Sequence, residues 1–274
     1  MPWARRRSGS CSDPRPRTLP RSSPKARRTV RSSGGAPIWF FDLDNTLHDA
    51  SHQVFPAINA NMNTFIAAVL GGSSLPADAA AVNAARIGYL RRYGATLLGM
   101  VRHHQVRPAE FLEAAHRFDD LPGMLRAEAG LGRHLARLPG AKILLTNAPH
   151  DYSTAVLRHF GLQHHFGHHI AIEAMQVHRQ LRPKPSKRLL RRLLARHHTP
   201  AHRCILVEDT LANLKAAKAL GMRTVWITAY LRNASAPVSN AADVAKTRKR
   251  PAYVDVKVKS LRQLFDSLPG VLRK

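Results

Sequence analysis

Two aspartates one residue apart, Asp42 and Asp44, follow directly on the apolar run Ile38-Trp39-Phe40-Phe41. In extended chain, positions i and i+2 face the same side. Two carboxylates that close repel each other unless a cation lies nearby or one keeps a proton. Two other apolar runs end in comparable residues: Ile143-Leu144-Leu145 in Thr146-Asn147, and Cys204-Ile205-Leu206-Val207 in Glu208-Asp209. Lys184 sits between Pro183 and Pro185, whose rings restrict the backbone that carries it. This set suits phosphoryl transfer, which rests on positioning and charge neutralisation. Asp42 is the expected nucleophile, forming an aspartyl-phosphate. Asp44 is the expected acid and base, serving first the leaving oxygen and then the hydrolytic water. Thr146, Asn147 and Lys184 are the expected phosphate ligands. Asp42, Asp44, Glu208 and Asp209 are the expected metal site, and an all-oxygen site shared with phosphate favours Mg2+.

These residues can meet only if their runs are neighbouring strands of one sheet, since open α/β sheets bind ligands beyond the carboxyl ends of their strands. The rest of the chain supports that arrangement. After the run at 142–145 comes a helix over about 150–160, closed by Gly161. Further elements are expected in turn: a strand at Ile170-Ala171-Ile172, an amphipathic basic helix from Ser186 to Arg196, the strand at Cys204–Val207, and a helix from Leu211 to Leu220 before Gly221. Thr224–Ile227 adds a strand, 231–250 a polar loop, and Tyr253–Val258 a last short strand before a C-terminal helix. Such alternation predicts an α/β fold, a Rossmann-like doubly wound parallel sheet with right-handed crossovers. Between the first strand and the others, Val54, Ile58, Met62, Phe65, Ile66 and Val69 recur at helical spacing. More helices are expected near 77–93, 95–104, 108–118 and 124–138. The expected organisation is therefore a core of 38–50 and 139–274 with an all-helical insertion, 51–138.

Composition narrows the class. The 274 residues, 44% hydrophobic, are enough for one large domain with an insertion. The formal net charge is +26. Residues 1–37 hold ten Lys/Arg against Asp13 alone, so this tail carries +9 and the remainder +17. The tail is rich in Pro, Ser and Arg and is expected to be disordered. It lacks the apolar h-region of a secretory signal, and its composition is similar to that of an organelle transit peptide. Its charge allows weak nucleic-acid binding. The two cysteines, Cys11 and Cys204, form neither a disulfide framework nor a zinc spacing. That points to a reducing, cytoplasmic setting. No run of about eighteen apolar residues occurs, so no membrane span is expected. The sixteen histidines fall mostly beside arginines in polar stretches such as His103-His104 and His197-His198, and are read as surface residues.

Asp42-Leu43-Asp44-Asn45-Thr46 resembles motif I of the haloacid dehalogenase-like hydrolase superfamily. Leu144-Leu145-Thr146-Asn147 resembles its motif II, Lys184 its motif III, and Val207-Glu208-Asp209-Thr210 with Asn213 its motif IV. Order and spacing agree over about 38–228, and the helical insertion is similar to the C1-type cap of that superfamily. The resemblance implies Asp42 as nucleophile, Asp44 as general acid/base, and magnesium on Asp42, the Asp44 backbone carbonyl and Asp209. Dehalogenases of the superfamily lack an acid at the position of Asp44, so its presence implies a phosphatase or related phosphotransferase.

Phe41–His48, Arg92-Tyr93-Gly94-Ala95-Thr96, Gly99–His104 and Thr146-Asn147-Ala148 resemble the pyrimidine 5′-nucleotidases. That resemblance implies nucleoside monophosphates such as UMP or CMP as substrates. Tyr93, His103 and His104 are then candidates for recognising base or sugar, a tyrosine ring being able to stack on a pyrimidine. The rival within the same fold is a phosphatase of sugar phosphates or phosphoglycolate. A rival of another class is a nucleic-acid-binding module acting through the basic tail.

Overall fold

The structure is a computed structural model that describes residues 35–72, 75–233 and 249–272. The expectation of disorder over the tail concerns mainly 1–34, and that of a polar loop over 231–250 mainly 234–248; both stretches lie outside the described residues.

Short apolar runs bounded by polar residues become strands that bury both faces. All four residues of β1 (Ile38–Phe41) are buried. It lies at the centre of a sheet with β2 (Ala141–Leu145), β3 (His168–Ile170), β6 (Cys204–Glu208), β7 (Arg223–Ile227) and β8 (Val256–Val258), in the order β3-β2-β1-β6-β7-β8. Every pairing in this sheet is parallel. This is the Rossmann-like fold expected. Two departures are local. β3 begins at His168, two residues before the expected run, and Ile172 instead starts a short 3₁₀ turn. A small antiparallel hairpin of β4 (Gln176–Val177) and β5 (Gln180–Leu181) stands outside the sheet. Its two turn residues, His178 and Arg179, have φ of +51° and +61°. Neither is Asn or Gly, so the usual hairpin signal is missing from the sequence.

Alternate residues of each strand feed two cores. Trp39, Phe41, Leu144, Ile205 and Val207 pack on one face with α6 (Leu131–Arg137), α7 (His150–His159) and α10 (Leu261–Leu272). Phe40, Ile143, Leu145, Cys204 and Leu206 pack on the other with α8 (Lys187–His197) and α9 (Leu211–Lys218). Burial of each such side chain contributes about 1.5–3 kcal/mol. The Ser186 hydroxyl caps α8 by accepting the Leu189 N–H at 3.2 Å. Leu189, Leu190, Leu193 and His197 form its buried stripe. His197, expected at the surface, is thus buried: it lies one turn beyond Leu193 on the apolar side, its ring 6.1 Å from Phe40.

Between β1 and β2 lie α1 (Val54–Gly71), α2 (Ala79–Tyr93), α3 (Thr96–His104), α4 (Pro108–Ala115), α5 (Leu121–Met124) and α6. They include a core of their own, with Ile66, Val82, Leu97, Met100, Phe111 and Leu112. The expected helix 108–118 stops at Ala115. The expected helix 124–138 is broken before α6 at Gly130, whose φ is +76°. By length and composition alone α1 is apolar enough to cross a membrane. Here it packs against α2 and α4, and Asn59, Asn61 and Asn63 interrupt its apolar sequence.

Candidate active site

Sheet register brings the three sequence-distant motifs to one edge. Phe41 pairs with Leu144 on one side and Val207 on the other. The next residues, Asp42, Leu145 and Glu208, therefore lie in one row at the end of these strands, and the Asp42 N–H continues the ladder by donating to Val207 O at 3.0 Å. The sheet order reverses at β1: β2 and β3 follow on one side of it, and β6, β7 and β8 on the other. That is the position where such sheets open a crevice.

Lys184 enters this crevice from the loop before α8. Its Nζ lies 2.5 Å from Asp42 Oδ1 and 2.7 Å from Glu208 Oε2, and all three residues are buried. Burial alone would lower the ammonium pKa, but the Asp42 and Glu208 charges outweigh it and hold the pKa above its ordinary value. The Asn147 side chain fixes the lysine backbone at both ends: Nδ2 donates to Lys184 O at 3.1 Å and Oδ1 accepts Lys184 N–H at 2.9 Å. The amide expected to bind phosphate is therefore occupied in holding Lys184. Thr146, 1% exposed, accepts the Ala148 N–H at 3.0 Å, which leaves its hydroxyl proton to donate. Thr46 Oγ1 donates to Asp42 Oδ2 at 3.2 Å.

Asp42, Glu208 and Asp209 each place a carboxylate oxygen within 4.8 Å of the others. Burial first, and then repulsion within the group, raises Asp42 to about 7, Glu208 to about 7 and Asp209 to about 6, despite Lys184. Three buried carboxylates facing one lysine leave negative charge uncompensated. A hard divalent cation bound by oxygen fits that donor set. Asp44, expected at the metal through its backbone carbonyl, has its carboxylate outside this trio.

Its side chain has partners of its own. Asp44 Oδ1 accepts from Tyr152 OH at 2.7 Å and meets His48 Nε2 at 2.9 Å. Burial works to raise its pKa, but the His48 and Tyr152 bonds outweigh it and keep the pKa below the usual carboxylate value. A left-handed residue makes the loop possible. Asn45 has φ of +57°, a conformation Asn tolerates better than most. Its amide clasps Ser51, donating to Oγ at 2.8 Å and accepting the N–H at 3.0 Å. The turn brings His48 back beside Asp44.

Tyr93, His103 and His104 are not joined to this edge by any hydrogen bond or ring contact among the described residues. Tyr93 OH pairs with His103 Nε2 and Tyr89 OH with His104 Nε2, each at 2.6 Å. Tyr89, Arg92, His103 and His104 line a separate cleft of about 500 Å³. The insertion reaches this edge elsewhere, through His116 and Phe118, whose rings lie 5.2 and 5.6 Å from that of Tyr152.

Comparison with known proteins agrees with this geometry. The haloacid dehalogenase-like hydrolase family matches residues 38–221, and a related HAD-hydrolase-like family matches 181–264. The chain belongs to the haloacid dehalogenase-like hydrolase family. It is 29% identical over 201 residues to a phosphoglycolate phosphatase of Mesorhizobium japonicum, covering 70% of this chain and 82% of that one. Among solved structures, a HAD phosphatase of Thermococcus onnurineus superposes with a TM-score of 0.55 at 17% identity, over 85% of this chain and 98% of that one. CbbY of Rhodobacter sphaeroides, solved with phosphate, gives 0.54 at 19%, over 84% and 96%. At such identities the two structures show a shared fold.

Within this HAD-like hydrolase, sequence reasoning about the site missed the partners of Asp44. His48 had a signal, standing four residues beyond Asp44 in a segment too short to be a helix. Tyr152 had none, because its approach to Asp44 depends on how α7 docks 108 residues later.

Proposed function

We propose that this HAD-like hydrolase is a Mg2+-dependent phosphatase of small phosphate monoesters that works through an aspartyl-phosphate on Asp42. The observation that carries the reading is the division of labour between two carboxylates two residues apart. Asp42 faces Lys184, Thr46 and the acidic trio, whereas Asp44 is turned away to His48 and Tyr152. An Asp42 oxygen attacks phosphorus while the bond to the ester oxygen breaks, and Asp44 gives that oxygen a proton. Water then attacks the acyl phosphate, Asp44 takes its proton, and phosphate leaves. Lys184 and the Thr146 hydroxyl bind the phosphoryl oxygens. Asp42, the Asp44 backbone carbonyl, Glu208 and Asp209 would hold Mg2+, whose charge would oppose that of those oxygens. The insertion, 51–138, acts as a cap that excludes water from the first half-reaction.

For the substrate, the sequence resemblance supports nucleoside 5′-monophosphates, pyrimidine ones such as UMP and CMP. The relationship to the Mesorhizobium japonicum phosphoglycolate phosphatase supports a second reading, in which phosphoglycolate or a sugar phosphate is cleaved. The test is phosphate release from UMP, CMP, dTMP, AMP, GMP, phosphoglycolate and glucose phosphates, with Mg2+ and with chelator, using Asp42→Asn as control. Preference for UMP and CMP supports the first reading. Preference for phosphoglycolate or sugars keeps the mechanism and replaces the substrate. Release that is insensitive to chelator or to Asp42→Asn would end the mechanism itself.

A further inference from the structure

We propose that Tyr152 and His48 are positioning residues for Asp44, and that Tyr152 couples that positioning to the seat of the helical insertion through His116 and Phe118. The inference rests on the acid/base reading of Asp44 and extends it to three elements of the fold.

A carboxylate turns easily about its last torsion, whose energy profile is broad and two-fold. Proton transfer tolerates little such freedom, because the donor must lie within hydrogen-bond reach of the leaving oxygen. Here both partners converge on one oxygen: Tyr152 OH at 2.7 Å and His48 Nε2 at 2.9 Å from Asp44 Oδ1, with 3.3 Å between the two partner atoms. The torsion is thereby fixed. Oδ2 is left, on a side chain 15% exposed, to exchange the proton with substrate and water.

The two partners are anchored differently. His48 is fully buried and belongs to the same short loop as Asp44, tied down by the Asn45–Ser51 clasp. Tyr152 comes from α7, and its ring is packed against His116 and Phe118, just beyond α4 in the insertion. Phe118 also lines a cleft of about 450 Å³ with Asn61, Arg117 and Met124. A change in the seat of the insertion reaches Tyr152 through those two rings and so reaches the orientation of Asp44. Oδ2 of a misdirected Asp44 cannot protonate the ester oxygen as the P–O bond breaks, and the electron pair of that bond must then leave on an unprotonated alkoxide.

The experiment compares kcat/KM for an alkyl phosphate with kcat/KM for p-nitrophenyl phosphate, whose leaving group departs without a proton. Because kcat/KM ends with leaving-group release, it does not contain the hydrolytic half-reaction. Tyr152→Phe, His48→Gln, His48→Ala and Phe118→Ala are measured beside Asp44→Asn in the 274-residue chain. Tyr152→Phe is expected to lose about 10–100-fold on the alkyl ester and less than about threefold on p-nitrophenyl phosphate. Phe118→Ala is expected to show the same selectivity to a smaller extent, and His48→Gln to retain more alkyl-ester activity than His48→Ala. A general structural defect would lower both substrates alike. Equal losses in Tyr152→Phe, beside a selective loss in Asp44→Asn, overturn the positioning role and leave the acid role standing. Equal losses in Asp44→Asn overturn the acid/base reading and this inference with it. Equal losses in Phe118→Ala alone overturn the coupling to the insertion.

Discussion

The Lys184 ammonium lies 2.5 Å from Asp42 Oδ1, a carboxylate 142 residues earlier in the chain, and spans from it to Glu208. It is the cation that makes a buried cluster of acids tolerable. Lys184→Met keeps much of the volume and removes the charge. Truncating one partner of a buried ion pair costs about 3–5 kcal/mol, because the other charge is left uncompensated. The expected outcome is a loss of that order in urea unfolding without divalent metal, partly restored by Mg2+. Phosphate release should fall by about 10²-fold or more, as for loss of a group that binds the transition-state charge.

Stability of the metal-free protein should depend on pH through the same cluster. Folding raises Asp42 from 3.8 to about 7, Glu208 from 4.5 to about 7 and Asp209 from 3.8 to about 6. The folded state therefore holds more protons than the unfolded one between these limits. The stabilisation is complete below about pH 4 and is lost as pH rises through 6–7. His169 opposes this: burial, with His150 beside it, lowers it from 6.5 to about 4, so its contribution is lost as pH falls through that window. The clean measurement is the difference in Tm between the protein and Asp209→Asn, with chelator, from pH 4 to 8. That difference should move against the native protein as pH rises. Adding Mg2+ at pH 7.5 should raise Tm in the native protein and much less in Asp209→Asn.

Asp42→Asn should lower turnover by about 10³-fold or more, since the amide does not form the acyl phosphate. Circular dichroism should be unchanged. At pH 7 with chelator, Tm should equal or exceed that of the native protein, because one buried charge is gone. Near-native turnover would remove Asp42 from the nucleophile role.

Asn147→Ala deletes the amide that holds Lys184 by both its N–H and its carbonyl. Leaving those two backbone groups without partners should cost about 1–3 kcal/mol in urea unfolding. It should also raise KM more than Tyr93→Phe does, because the lysine loses its fixed position.

Tyr93→Phe breaks the bond to His103 and leaves the contacts of Asp42 and Asp44 intact. Relative kcat/KM values across the monophosphate panel should then stay within about twofold of native. A large change of substrate preference would show that the α2–α3 cluster reaches the substrate when the insertion closes. Phe118→Ala, which reaches Asp44 through Tyr152, should instead lower kcat/KM for the alkyl esters of that panel together.

By itself the sequence determined the strands, their carboxyl-terminal residues and the helical insertion after the first strand. Apolar runs of four or five residues and helical spacing are local signals that act along the chain. They placed Asp42, Asp44, Thr146, Lys184, Glu208 and Asp209, and the parallel sheet then brought the runs together in register. Local pattern was weaker where backbone geometry interrupts it, as at the end of α4, before α6 and at the β4–β5 hairpin. Only the tertiary structure decided what each of these residues touches. It assigned the Asn147 amide to the backbone of Lys184, separated the Asp44 carboxylate from the acidic trio, and gave Asp44 to His48 and Tyr152. It also drew Tyr93, His103 and His104 into a cluster of their own while bringing His116 and Phe118 over Tyr152. The physical reason is that a strand end fixes where a side chain starts. Its partners depend on the docking of α7 and of the α4–α5 connection, which summed packing over the whole core decides and no local run of residues encodes.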